Sequence, residues 1–243
     1  MLRLNALLLI LLLSLTAAAD TITAAGDPWP PFLDPDHPQQ GVAIAIAREA
    51  FKTQGHDLEF TFVPWARAID GVKNADYDAL IGTWWTEERT AFLEYSDDYL
   101  TNQIKFIKRK DDDFEFDGLK SLKGKTVGTV RGYGYGDDFA NADYFSRAPA
   151  ARLLTNIRKL IAGRLDLTLE DELVARSLIA KEAPELLDKI AFTNNPLSAQ
   201  TLHVTSGLKN PRHKMIIEAF NKGLKEIKAN GTFERILEEN HLK

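Results

Sequence analysis

The sequence predicts an α/β fold of two lobes, each a mostly parallel sheet flanked by helices. Short apolar or β-branched runs alternate with amphipathic segments along most of the chain, and this alternation is typical of strand–helix–strand units. It is interrupted at the highly charged residues 108–117 and again at Asn194-Asn195-Pro196, so the units fall into two series. The chain of 243 residues also lies in the size range where a single hydrophobic core begins to divide.

Each element is predicted from its own local pattern. The strands are short apolar or alternating runs, and they are predicted at 21–25, 58–63, 77–81, 125–130, 165–169, 189–192 and 202–205. The helices carry apolar residues three or four positions apart, and they are predicted at 42–54, 65–73, 156–162, 171–181 and 211–229. Ligands of open α/β sheets bind at the carboxyl ends of the strands, so these ends are where functional residues are expected.

Residues 1–19 have the three parts of a cleavable secretory signal peptide. A short positive start leads into an apolar run at 6–13, and the segment ends in Ala17-Ala18-Ala19. A membrane anchor needs about 20 apolar residues, which is more than this run supplies. The sequence therefore predicts cleavage before Asp20 and export of a water-soluble chain to the periplasm.

Composition excludes several kinds of chemistry. The chain has no cysteine, so disulfides, thiolate metal ligands and a cysteine nucleophile are excluded. Its net charge of −5 is spread along the chain, so no nucleic-acid partner is expected. We expect no cofactor and no metal, and a monomer. The charged cluster at 108–113 is interpreted as a solvated turn, with a docking patch for a partner as the alternative.

Residues 82–89 follow a predicted strand and end in an arginine. At such a turn the planar guanidinium of Arg89 can hold a carboxylate through two hydrogen bonds. The alternative is a surface ion pair of Arg89 with Glu87 or Asp97.

Two further segments carry candidate ligand contacts. Residues 127–137 run from a strand into alternating glycines, whose backbone N–H groups can approach an anion. Asp137 stands where a dinucleotide fingerprint needs glycine, and a flexible turn is the alternative. In 163–172 three acids follow a strand, and one of them could accept hydrogen bonds from an ammonium group. Acids drawn to a helix N-terminus by its dipole are the alternative there.

A series of short motifs extends in order over nearly the whole mature chain. Its members are 27–32 (Asp-Pro-Trp-Pro-Pro-Phe), Gly41, 77–80 (Tyr-Asp-Ala-Leu), 86–89 (Thr-Glu-Glu-Arg), 92–99, 122–128, 163–166, 170–172 and 231–233. In order and spacing they resemble the extracellular solute-binding proteins of family 3, periplasmic receptors for polar amino acids that serve ABC importers. The resemblance implies a type II periplasmic binding protein fold with two crossing hinge strands near 99–107 and 192–201. Lobe 1 would comprise 20–103 and 196–243, and lobe 2 would comprise 104–195.

The resemblance also implies roles for individual residues. Arg89 would grip the α-carboxylate of the ligand and Asp171 its α-ammonium. The remaining contacts would be walls and donors of the cleft, and they are Trp29, Trp65, Thr83, Trp84, Tyr133 and Gly134. Such charge-assisted hydrogen bonds are worth roughly 1.5 to 3 kcal/mol each.

The chain departs from the family's pattern at three places. Trp84 replaces a small hydroxyl residue, Tyr133-Gly134 replaces a serine or threonine after a glycine, and Asp98 replaces a proline. These changes remove hydroxyl donors and add aromatic surface. With Trp85 also near a strand end, they predict a ligand with a flat or cationic part that stacks on indole, in addition to a carboxylate.

The resulting functional hypothesis is periplasmic capture of a small amino-acid-like solute by hinge closure, for delivery to the membrane permease of an ABC importer. One alternative is a dehydratase for cyclic carboxylates with Glu170 or Glu172 as general acid, if burial raises its pKa. The scattered histidines argue against catalysis, and we expect no enzyme. A ligand-sensing module for a membrane receptor is a second alternative.

Overall fold

The computed structural model describes residues 20–242, which form two groups of parallel strands covered by helices. The strands are β1 (Asp20–Gly26), β2 (His56–Phe62), β3 (Ala79–Trp84), β4 (Leu93–Tyr95), β5 (Leu100–Arg109), β6 (Thr126–Val130), β7 (Ser146–Ala150), β8 (Leu167–Asp171) and β9 (Ile190–Gly207). The helices are α1 (Val42–Thr53), α2 (Trp65–Lys73), α3 (Glu87–Thr90), α4 (Asp137–Asn141), α5 (Leu153–Ile161), α6 (Glu172–Glu182), α7 (His213–Ala229) and α8 (Thr232–Glu239). Short 3₁₀ helices occupy Leu119–Leu122 and Pro184–Lys189.

Two long antiparallel strands join the parallel groups. The order along the sheet is β2-β1-β3-β9-β5-β8-β6-β7, with β4 paired to β9. β1 pairs in parallel with β2 and β3, and β6 pairs in parallel with β7 and β8. Between them β5 and β9 run antiparallel from the Leu100–Leu202 pair to the Arg109–Ile190 pair. The two-lobed α/β fold with two crossing strands is thereby confirmed, and the lobe boundaries after 103 and 195 stay a prediction.

Close packing in the first lobe depends on glycine at two positions. Gly41 precedes α1 with a φ of 100°, and a Cβ there would collide with the carbonyl of Phe32. Gly223 of α7 lies directly against the carbonyl of Ala50 in α1, so the two helices are in backbone contact. This packing buries the predicted apolar face of α7. At the start of α1, the backbone N–H groups of Val42 and Ala43 donate to the carbonyls of Pro31 and Phe32, which holds the 27–33 turn against the helix.

The predicted loop at Asn194-Asn195-Pro196 is wrong, because these residues lie inside β9. The register with β5 shifts on both sides of the Lys105–Pro196 pair. Such irregular pairing tolerates a proline, which cannot donate to the ladder. The predicted strands at 189–192 and 202–205 are thus the two ends of one strand.

The charged cluster is only partly a solvated turn. Lys108 belongs to β5 and is 8% exposed, and its ammonium group donates to the carbonyl of Phe114 and to Glu115. Turn structure begins at Lys110. The prediction is therefore corrected for Lys108, which is buried with its charge paired to Glu115.

The predicted signal peptide at 1–19 lies outside the described residues. Within residues 20–242, no helix combines the length and the apolar character that crossing a bilayer requires.

Candidate ligand-binding site

The ends of four parallel strands bring the candidate residues together between the lobes. Asp27 follows β1, Arg89 lies in the short helix after β3, Tyr133 follows β6, and Glu170 lies at the end of β8. A cavity of about 20 Å³ remains among them, lined by Asp27, Trp29, Leu33, Trp65, Ile81, Gly82, Trp84, Arg89 and Tyr133. That volume is close to the space of one water molecule. In this conformation the lobes are closed, and their side chains fill most of the space at this point of the cleft.

Arg89 bridges the two lobes. Its side chain is 5% exposed, and Thr86 caps the short helix that carries it by accepting the Arg89 backbone N–H. One terminal nitrogen donates to the carbonyl of Trp84 at 2.8 Å, and the other donates to the carbonyl of Gly132 in the second lobe at 2.7 Å. The guanidinium also lies 5.5 Å from the Trp65 ring. The predicted alternative, a surface ion pair with Glu87 or Asp97, does not form.

Three tryptophans form the aromatic walls. Trp84 meets Trp29 edge-on with ring centroids 5.7 Å apart, and Trp65 meets Tyr133 edge-on at 6.0 Å. Each indole N–H has an acceptor: Glu170 for Trp29, the Gly132 carbonyl for Trp65, and Asn102 for Trp84. Such edge-to-face pairs fix the ring orientations.

Trp85 is 48% exposed and does not line the cavity. It therefore lies apart from the aromatic cluster expected near the cleft, which consists of three tryptophans and not four.

Two carboxyl groups face the same interlobe region. Asp27 accepts the Tyr133 hydroxyl at 2.8 Å, and Glu170 accepts the Trp29 indole N–H at 3.0 Å. Burial raises the pKa of Asp27 to about 7 and that of Glu170 to about 8, and the negative charges of Asp171 and Asp27 add to the increase for Glu170. Among residues 20–242 neither carboxyl takes part in an ion pair.

The chain matches one known protein family over almost all of its described length. A model of the bacterial extracellular solute-binding proteins, family 3, matches residues 22–242. The chain belongs to this family. An arginine-binding periplasmic protein of Mannheimia haemolytica is 28% identical over 230 residues, which cover 92% of each chain.

Solved structures confirm the type II periplasmic binding protein fold of this family 3 member. An amino acid ABC transporter substrate-binding protein of Streptococcus pneumoniae bound to L-arginine has a TM-score of 0.73 at 21% identity, covering 90% of this chain and 94% of that chain. A histidine kinase sensor domain with similarity to periplasmic binding proteins has a TM-score of 0.80 at 20% identity, covering 91% of this chain and 96% of that chain. At such identities the likeness concerns the fold.

The structure brings six of the eight residues predicted from the family resemblance to the cleft. They are Trp29, Trp65, Trp84, Arg89 and Tyr133, which line the cavity, and Gly134, which lies directly beside it. A Cβ on Gly134 would lie 2.5 Å from the methyl of Thr86 and 3.1 Å from the Arg89 guanidinium carbon. The second lobe can close onto Arg89 only because this position has no side chain.

Thr83 and Asp171 lie outside the cavity. Thr83 is fully buried and shares a hydrogen bond of 3.0 Å with Thr205 of β9. Asp171 caps α6 by accepting the Val174 N–H at 3.1 Å, and its second oxygen accepts the Gln103 N–H of β5 at 3.3 Å. Their roles as ligand contacts stay predictions, and in this conformation their oxygens are used within the protein.

Sequence reasoning missed Asp27 as a site residue, named Glu170 only among the acids of 163–172 and as a general acid of the alternative enzyme, and misplaced one strand. The strand predicted at 165–169 lies at Leu167–Asp171. Neighbouring residues of a strand face opposite sides, so Glu170 and Asp171 point in different directions. Thr168 and Glu170 alternate with leucines, a pattern typical of a strand with its polar face in solvent, so no local pattern indicated that Glu170 is buried. Asp27 had a weak signal, its place between Gly26 and Pro28 directly after a strand.

Proposed function

We propose that this chain is a periplasmic receptor that captures a basic amino acid between its lobes and delivers it to the membrane permease of an ABC importer. One observation carries the proposal: Asp27 and the guanidinium of Arg89 border the same aromatic cavity. Arg89 would pair with the carboxylate of such a solute, and Asp27 with its cationic end. The name of the arginine-binding relative supports the same class of ligand. Export through the predicted signal peptide is part of the proposal.

Arg89 would hold the carboxylate of the solute. Its guanidinium now donates to the Gly132 carbonyl of the second lobe, and a carboxylate replacing that acceptor gains a charge-assisted pair of hydrogen bonds. The aromatic walls would contact the cationic end, which is attracted to the faces of Trp65 and Trp84. Asp27 would supply the countercharge that a buried cation needs.

Capture requires the lobes to separate first. A cavity of about 20 Å³ cannot take an amino acid, since ligand pockets usually measure about 300 to 1,000 Å³. Trp84 and the Arg89–Gly132 contact fill the space that a solute would occupy. Opening about β5 and β9, followed by closure on the solute, satisfies this requirement.

A thermal-shift panel tests the proposal. Arginine, lysine and ornithine should raise the melting temperature, whereas citrulline, which has the shape of arginine without the charge, should not. A ligand at about 100 times its Kd adds about 2.7 kcal/mol to the free energy of unfolding. Arg89→Ala should abolish the response, and Arg158→Ala on the exposed side of α5 should preserve it. Stabilisation by neutral amino acids alone would contradict the proposal.

The buried carboxyl of Glu170 also favours a second candidate, a dehydratase acting on cyclic carboxylates. A carboxyl with a pKa of about 8 is protonated near neutral pH and can act as a general acid. Glu172 is less suited, because hydrogen bonds from Arg176 and Lys105 outweigh its partial burial and lower its pKa. Incubation with prephenate and chromatography of the products tests this candidate, and the absence of any product that depends on Glu170 would eliminate it.

A further inference from the structure

Glu170 is a buried acid that the proposed carboxylate and cation contacts leave unused. It is 1% exposed, and strand alternation turns it into the cleft while Asp171 turns towards α6 and β5. Its Oε1 accepts the Trp29 indole N–H across the lobes and the Asp171 backbone N–H, both at 3.0 Å. Burying a carboxyl without a charged partner costs free energy, so its presence in the cleft favours a ligand that pairs with it.

Glu170 and Asp27 both border an interlobe groove of about 340 Å³. The walls of this groove are mainly apolar and include Phe62, Val63, Leu153 and Leu178. The dimensions and walls suit an aliphatic stem of a few methylenes, and the two acids stand where its polar end would lie.

The charges around the groove leave the two acids uncompensated. Besides each other, Asp27 and Glu170 have as nearby titratable or charged groups Arg89, Tyr133, Tyr135, Asp171 and Arg152. Arg152 donates to both carboxylate oxygens of Glu182 at 2.6 Å, and Arg89 donates to backbone carbonyls. The segment 62–64 and Leu178 of α6 contribute no charge.

We propose that Glu170 is a specificity-determining residue that, together with Asp27, binds the ammonium or guanidinium end of the solute, whose aliphatic stem lies along the apolar groove. The proposal rests on the proposed capture of a basic solute, and it concerns the side-chain cation, which is separate from the α-ammonium contact that the family resemblance assigns to Asp171. A cation between the two carboxyls interacts with both lobes, so it favours the closed conformation over the open one.

Proton release follows from this arrangement. Burial raises the pKa of both carboxyls into the neutral range, so near pH 7 they carry protons for part of the time. A cation favours their ionised forms and displaces those protons, so affinity should increase with pH between about 6 and 8. If Asp27 alone bound the cation, the affinity would stop increasing near pH 7. If Glu170 also binds it, the affinity continues to increase to about pH 8.

Calorimetric titration of the mature protein with L-arginine tests the proposal. Titrations at pH 6, 7 and 8, each in two buffers of different ionisation enthalpy, give both the affinity and the number of protons released. We expect proton release near pH 7, an affinity loss of at least about tenfold in Glu170→Gln, and loss of the pH dependence above pH 7 in that variant. Glu172→Gln is the matched control, because Glu172 lies two residues further along and is paired with Lys105 and Arg176.

The outcomes separate this proposal from the one on which it rests. If the wild-type protein binds neither arginine nor lysine, capture of a basic solute is wrong and the role of Glu170 falls with it. If the wild type binds arginine but Glu170→Gln does so with equal affinity and equal proton release, only the role of Glu170 is wrong. A binding heat in the wild type that is independent of the buffer overturns it as well, and this result does not depend on the folding of any variant.

Discussion

Trp84 occupies the centre of the cleft, at a position where the family pattern has a small hydroxyl residue. Its ring contacts Trp29, Tyr133 and Tyr135, and its N–H donates to Asn102. We therefore expect Trp84→Ser to lower the free energy of unfolding by about 3 to 5 kcal/mol, through lost burial and the cavity left behind.

The adjacent Trp85 provides the control for Trp84. Because Trp85 is 48% exposed, Trp85→Ser should change stability by less than about 1 kcal/mol. Urea denaturation followed by circular dichroism measures both variants. Equal losses in the two would contradict the assignment of Trp84 to the packed centre.

The two interlobe carboxyls make the stability of the protein depend on pH. Burial raises the pKa of Asp27 from 3.8 to about 7 and that of Glu170 from 4.5 to about 8, so the folded protein holds these protons more tightly than the unfolded chain does. Unfolding releases these protons. The contribution of the two carboxyls to the free energy of unfolding is therefore highest below about pH 4 and decreases up to about pH 8. In the double variant Asp27→Asn, Glu170→Gln this decrease should disappear.

Thermal melting of the solute-free protein between pH 5 and 8.5 measures the effect. The difference between wild type and double variant isolates the two carboxyls from the other titrating groups. A difference that is constant with pH would show that their protons do not distinguish the folded protein from the unfolded chain.

At the scale of elements, the glycine-containing turn between β6 and α4 determines how closely the lobes approach. Gly134 contacts Thr86 and the Arg89 guanidinium, and a methyl group there would lie too close to both. We expect Gly134→Ala to shift the population towards the open conformation, with a larger radius of gyration in X-ray scattering. Ala140→Ser, on the exposed side of α4, should leave the scattering curve unchanged.

The elements that the sequence predicted well are those with a local signal. The period of apolar residues places α2 at its observed bounds, Trp65–Lys73, and apolar runs place β1, β2, β6 and β8 within about two residues, whereas β7 was not predicted. The failures depend on long-range pairing. Nothing local indicates that Pro196 can lie inside β9, because only its irregular register with β5 makes room for it.

The candidate site shows the same limit. Arg89 and the aromatic walls could be predicted because their motifs match a family pattern in order and spacing. The family resemblance assigns the second-lobe contact to Asp171, whereas alternation along β8 turns its neighbour Glu170 into the cleft. The partners of Arg89 could not be predicted either, since the Gly132 carbonyl reaches it only when the lobes meet.

At the scale of the whole molecule, four hydrogen bonds between the lobes meet at the cleft among the described residues, and the Glu87–Asp137 hydrogen bond and the Lys181 contacts to Asp34 and Asp36 join the lobes elsewhere. Trp65 and Arg89 donate to the Gly132 carbonyl, Tyr133 donates to Asp27, and Trp29 donates to Glu170. A solute enters only if these bonds break, and it favours reclosure only if it makes better contacts to both lobes. The free energy of closure on a solute therefore depends on the difference between the polar contacts that the empty cleft makes and those that the solute makes to the two lobes.

This arrangement predicts how the molecule responds to ligand as a whole. Saturating L-arginine should decrease the radius of gyration of Gly134→Ala, because the solute favours closure against the added methyl group. The wild type, whose own contacts already favour closure, should decrease less. Arg89→Ala lacks both the contact to Gly132 and the proposed carboxylate contact, so arginine should leave its scattering unchanged. Curves that do not respond to arginine in any of the three proteins would exclude hinge closure as the mechanism of capture.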